Sequence, residues 1–148
     1  MRKRTEKSAF LLIRFIYSII ILPVEKITIK NAGAMKYFIV DDNAEMRKMI
    51  KTIIEKVNDT SMEFENGKRV VEEYGIYRPD WVLMDIEMKG INGLDTAKKL
   101  KEKFPEVRVV IVTQYDDKIF RKRADELQVA GYILKDNLQK LKEFITNS

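Results

Sequence analysis

The sequence predicts an α/β fold over residues 35–148: a doubly wound, five-stranded parallel sheet with helices on both faces. Three observations predict it. Five short apolar runs alternate strictly with five segments of helical periodicity, the pattern of strands joined by crossover helices. The second and third lie in the runs themselves. Most are continuously apolar rather than alternating, as strands buried on both faces are. Three of them end on polar side chains, Asp41-Asp42, Asp85 and Thr113, where a doubly wound sheet carries its site.

Each element has its own signature. Tyr37-Phe38-Ile39-Val40 is a buried strand ending in Asp41-Asp42. Met46, Met49, Ile50, Ile53, Ile54 and Val57 recur at helical spacing. Met62-Glu63-Phe64-Glu65 is a short strand closed by Asn66-Gly67. Val70, Val71, Tyr74 and Tyr77 give a second helix, stopped by Pro79. Trp81–Asp85 is a strand ending in a carboxylate, and Leu94, Ala97, Leu100 and Phe104 a third helix before Pro105. Arg108–Thr113 is the fourth strand. Ile119 or Phe120, with Ala124 and Leu127, marks the fourth helix. Gly131–Leu134 is the fifth strand, and Leu138, Leu141, Phe144 and Ile145 define the last helix.

Composition narrows the chemistry. The chain has neither Cys nor His, so it has no disulfide, no thiolate or imidazole ligand and no imidazole base. Carboxylates, hydroxyls, Lys and Arg must do the work. The net charge of +5 sits wholly in residues 1–34, where seven basic residues face two acidic ones. Residues 35–148 hold 21 of each sign, so this part has no overall attraction for nucleic acid.

Residues 1–34 read as an extension outside the fold. Arg2-Lys3-Arg4 precedes an apolar run, Ala9–Leu22, interrupted by Arg14 and Ser18 and ended by Pro23. The run falls short of the roughly 20 apolar residues of a spanning helix. Arg14 at its centre adds about 2.5–3.5 kcal/mol to the cost of insertion. Three other readings fit. One is a translation start at Met35. Another is a surface helix or anchor on a membrane, with Lys7, Arg14 and Ser18 along one stripe. The third is a signal peptide with Ala32-Gly33-Ala34 as its cleavage site.

The strand ends bring three carboxylates, one hydroxyl and, through Lys135 after the fifth strand, one ammonium to one edge. Carboxylates at close range repel and call for a proton or a cation. A hard divalent ion such as Mg²⁺ suits them, with Lys135 as a second anchor for an anionic group. This set fits phosphoryl transfer onto a carboxylate.

From Met35 to about Thr146 the chain resembles the receiver domain of bacterial two-component response regulators. The resemblance is carried by Phe38–Asp42, Pro79–Met88, Gly90-Ile91-Asn92-Gly93, Val110–Thr113 and Ala130–Lys135. It implies a flavodoxin-like fold and a cytoplasmic signalling protein that is not itself an enzyme. Asp85 is then the phosphoacceptor. Mg²⁺ is bound by Asp42, Asp85 and the backbone carbonyl of Glu87, with Asp41 assisting. Thr113 and Lys135 contact the phosphoryl group, and Tyr132 changes rotamer as Thr113 moves. The implied partner is a sensor histidine kinase or phosphotransfer protein, which supplies the missing His. A homodimer through the fourth helix, fifth strand and fifth helix is a further implication. The motifs are most similar to receivers that precede a helix-turn-helix output domain. Two alternatives belong to other classes: a receiver-shaped adaptor that is never phosphorylated, and a haloacid-dehalogenase-type hydrolase. The latter requires an Asp where Glu87 stands. Three positions depart from the family pattern: Lys89 and Asp136 replace common prolines, and Gln114 a small residue.

Overall fold

The structure is a computed structural model that describes residues 33–148. The readings of the N-terminal extension therefore lie outside the described residues, apart from Gly33 and Ala34. The five predicted strands are β1 (Lys36–Val40), β2 (Thr60–Phe64), β3 (Trp81–Met84), β4 (Val109–Thr113) and β5 (Gly131–Leu134). The helices are α1 (Ala44–Ile54), α2 (Val70–Tyr77), α3 (Gly93–Lys103), α4 (Lys118–Glu126) and α5 (Leu138–Asn147). A 3₁₀ turn at Lys135–Asn137 leads into α5.

All strand pairs are parallel, in the order β2-β1-β3-β4-β5. The direction of winding reverses between β1 and β3, which opens a crevice at their carboxyl ends. Successive strand residues point to opposite faces and feed two cores. Phe38, Val40, Val82 and Met84 join Tyr74, Leu94 and Leu100 on one side. Tyr37, Ile39, Trp81 and Leu83 join Ile50, Ile54 and Leu141 on the other. The sheet is thus covered on both faces, as continuously apolar strands require.

The boundaries differ from expectation in two places. The first helix stops at Ile54, and Val57, expected on its apolar face, is 90% exposed. Asp59 causes this: its two carboxylate oxygens accept from Lys56 N at 2.9 Å and Met35 N at 2.8 Å, while Asn58 is left-handed at φ 84°. The local turn satisfies the amides that a longer helix would have used. The second strand lies two residues earlier than the Met62 expected, because Thr60–Phe64 pairs with all of β1. At the fourth helix Phe120 faces the core and Ile119 is exposed. There is no cis peptide bond among the described residues, so the link from Lys135 to Asp136 is trans.

Candidate functional site

The carboxyl rim of the sheet gathers the polar strand ends. Asp41 follows β1 directly and is 1% exposed, Asp42 is exposed beside it, and Asp85 follows β3 at 5% exposure. One carboxylate oxygen from each lies within 4.8 Å of the other two. Lys135 leaves the end of β5 and reaches back. Its Nζ donates to Asp85 Oδ2 at 2.7 Å and forms an ion pair with Asp41 Oδ2 at 2.7 Å. Among the described residues, this ammonium is the one partner of the buried Asp41 Oδ2. The other Asp85 oxygen, Oδ1, accepts from Ile86 N at 2.8 Å.

The electrostatics are frustrated. Three carboxylates and one ammonium leave the ionised cluster two negative charges in excess. Burial pushes the Asp85 carboxyl above the ordinary carboxylate range, and Asp41 adds to the rise; Lys135 opposes both. Burial pulls the Lys135 ammonium down, but the bonds and charges of Asp41 and Asp85 outweigh it and hold it above its ordinary value. A single divalent cation would cancel the excess charge. Three carboxylates with an oxygen each within 4.8 Å of one another, short of compensating positive charge, are the donor set that a hard ion selects. The residues therefore fit Mg²⁺.

Local sequence explains how the side chains reach this arrangement. Asp42 takes no part in capping α1, since Asn43 is the N-cap. The Asn43 side chain accepts from Glu45 N at 2.9 Å and Met46 N at 3.1 Å. Gly93 opens α3 against the back of Asp85, and a Cβ there would stand 1.7 Å from the Asp85 carbonyl oxygen. Its amide donates to Ile86 O at 2.8 Å, which ties the β3–α3 loop to the helix start. Glu87, Asp42 and residues 88–92 line an open pocket of about 480 Å³, in which Gly90 turns the chain at φ 93°. Lys89 stands in this loop in place of the family proline.

Thr113 ends β4 fully buried, and its hydroxyl accepts from Tyr115 N at 3.4 Å. Tyr132 in β5 is half-buried and donates to Tyr115 O at 2.7 Å, with the Arg121 guanidinium 4.4 Å from its ring centre. Three residues, Tyr115, Arg47 and Arg121, were not singled out from the sequence. Tyr115 donates through its hydroxyl to the Glu87 carboxylate and stacks edge-on against Phe120. The exposed Gln114 turns toward that hydroxyl, 3.0 Å away. Arg47 of α1 binds Asp41 O at 2.7 Å. Arg121 sits over Tyr132. None lies in a motif or an apolar stripe, so no local signal marks them. Only the fold brings their partners near.

Residues 37–146 match the family model described as the response regulator receiver domain. The chain belongs to the response regulator receiver family. It is 30% identical over 108 residues to the transcriptional regulatory protein DegU of Brevibacillus brevis, covering 72% of this chain and 46% of DegU. It is 32% identical to the chemotaxis protein CheY of Halobacterium salinarum, covering 69% of this chain and 85% of CheY. The chain spans about half the length of DegU and of YdfI of Bacillus subtilis. A DNA-binding response regulator of the LuxR family from Staphylococcus aureus superposes with a TM-score of 0.68 at 26% identity, over 76% of this chain and 97% of that one. The chemotaxis protein CheY4 of Vibrio cholerae shares the fold at a TM-score of 0.71 and 15% identity, over 78% and 98% of the two chains. Receiver domains are signalling domains of two-component systems rather than classical enzymes, and they generally bind Mg²⁺ at an acidic pocket. Among the described residues no helix is long and apolar enough to cross a membrane.

Proposed function

We propose that this receiver is a phosphoacceptor switch, in which a carboxylate oxygen of Asp85 takes a phosphoryl group from a phosphohistidine of a sensor histidine kinase or phosphotransfer protein. An O–P bond forms on Asp85, the N–P bond of the donor breaks, and the imidazole nitrogen leaves with the electron pair. The observation that carries this reading is the three-carboxylate cluster bridged by Lys135. Asp42, Asp85 and the main-chain carbonyl of Glu87 would hold Mg²⁺, with Asp41 behind them. When bound, the ion supplies charge neutralisation between carboxylates and phosphoryl oxygens.

The protein's own residues do the rest. Lys135 draws Asp85 and Asp41 together before transfer and offers the same ammonium to the phosphoryl group afterwards. Thr113 offers a buried hydroxyl at the neighbouring strand end. Tyr132, tied to the Tyr115 carbonyl, reports the change to the face formed by α4, β5 and α5, through which two copies would pair. Residues 35–148 form the whole receiver, act in the cytoplasm and bind no nucleic acid alone, being electrically neutral.

The test is intact-mass measurement of the full chain with acetyl phosphate and Mg²⁺. One phosphoryl group should appear, disappear with hydroxylamine and be absent from Asp85→Asn. A wild-type chain that stays unmodified, under conditions that label another receiver, overturns the reading in favour of an adaptor.

A further inference from the structure

Asp41 has four hydrogen-bonding groups, and three are fixed in place. Its N–H donates to Phe64 O at 3.0 Å at the end of β2. Its Oδ1 accepts from Asn43 N at 2.8 Å. Its carbonyl accepts from Arg47 NH1 at 2.7 Å. The fourth, Oδ2, faces the acidic cluster and pairs there with the Lys135 ammonium at 2.7 Å. Arg47 is itself held: its Nε donates to Glu63 Oε2 of β2 at 3.1 Å, and its side chain is only 16% exposed. The guanidinium thus spans α1, β2 and the end of β1 with two donors in a rigid fork, which a lysine cannot reproduce.

We propose that Arg47, oriented by Glu63, is a positioning residue for Mg²⁺ binding: it locks the Asp41–Asp42 turn so that both carboxylates stand ready for the ion. This rests on the proposed role of the acidic cluster. Charge alone makes the opposite prediction. A guanidinium near the cluster repels a cation, so its removal would strengthen Mg²⁺ binding, the more so because Glu63 would keep only the more distant Lys51, 3.9 Å away. Positioning makes removal weaken binding, as loss of an outer-shell partner typically does by about 10-fold or more.

The experiment titrates the full-length chain with Mg²⁺ alone by calorimetry, at a temperature where circular dichroism shows every variant folded. Arg47→Met should weaken Mg²⁺ binding about 10-fold. Its phosphorylation rate with acetyl phosphate should return to near the wild-type value at saturating Mg²⁺. Arg47→Lys keeps the charge and the stem, so it stays folded if Arg47→Met does not, and it should still bind Mg²⁺ several-fold more weakly. Affinity that is unchanged or stronger in Arg47→Lys overturns the positioning role while leaving the acidic site intact. A wild-type chain that shows no saturable Mg²⁺ binding overturns both.

Discussion

The two rims of the sheet carry the same residue type and use it in opposite ways. At the amino rim, Asp59 accepts two backbone amides, from Met35 and Lys56, and Asp80 accepts Lys36 N at 2.8 Å. There the strands begin with free N–H groups, and a carboxylate satisfies them as it satisfies a helix start. At the carboxyl rim, Asp41, Asp42 and Asp85 crowd within 4.8 Å, and the Lys135 ammonium alone is shared between Asp41 and Asp85. Chain direction accounts for part of the contrast. Strand starts present donors to an acid, whereas strand ends present carbonyls, so acids there must find partners elsewhere. Asp41 and Asp85 also accept one amide each, from Asn43 and Ile86, so what sets the carboxyl rim apart is carboxylates gathered in excess of positive charge, an arrangement held for a ligand rather than for stability.

The comparison is sharpened most by Gly93→Ala. The new Cβ would collide with the Asp85 carbonyl oxygen at 1.7 Å, and backbone cannot move aside as a side-chain tip can. We expect a loss of about 3 kcal/mol or more in urea unfolding, with slower phosphorylation, because the Asp85 loop must shift.

Next in size is a pair of substitutions with opposite signs. Asp59→Ala leaves two backbone amides without their charged acceptor and should cost about 1–3 kcal/mol, measured by chemical denaturation, while Mg²⁺ affinity stays unchanged. Asp42→Ala relieves repulsion and should stabilise the Mg²⁺-free fold by about 0.5–2 kcal/mol while weakening Mg²⁺ binding. Equal signs for the two would break the distinction between the rims.

This contrast was only half legible in the sequence. The strand ends were visible because apolar runs stop abruptly at Asp41-Asp42, Asp85 and Thr113, and the alternation of elements placed them on one edge. The amino rim left no such mark. Asp59 and Asp80 lie in loops, and their amide partners are 24 and 44 residues away in sequence. Val57 read as helical for a different reason: it continues the apolar spacing of α1, and periodicity does not register that Asp59, three residues beyond Lys56, ends the helix by accepting the Lys56 N–H. Arg47 and Tyr115 escaped notice because each works on a partner from another element, Asp41 O and Glu87, and neither interaction has a period.

The smallest expected effects are pH dependences, and here the rims differ again. At the carboxyl rim, burial raises the Asp85 carboxyl above its unfolded value. The folded state then holds this proton more tightly than the unfolded chain. Ionised Asp85 therefore penalises the fold, and the penalty disappears as pH falls through the raised folded value. The stability gained by Asp85→Asn should accordingly be largest near neutrality and shrink on acidification. At the amino rim, burial first, and then the charges of Asp59, Asp80 and Glu55, push the Tyr37 phenol from 10.0 up to about 12. The sign is again that of a proton held tightly by the fold. Neutral Tyr37 costs nothing below its unfolded value, and stability is lost as pH rises from 10 towards 12. Lys135, also held above its ordinary value, loses its contribution in an overlapping alkaline range. Tyr37→Phe keeps the buried ring and removes the titrating proton. Denaturation midpoints measured from neutrality to high pH should then fall less steeply in Tyr37→Phe than in wild type, and Lys135 shares the remaining slope with Tyr74, Tyr115 and Tyr132, which are also held above their ordinary values. If the two profiles run parallel, neither burial nor the three acids around Tyr37 hold its proton, and the amino rim is electrostatically quieter than its carboxylates imply.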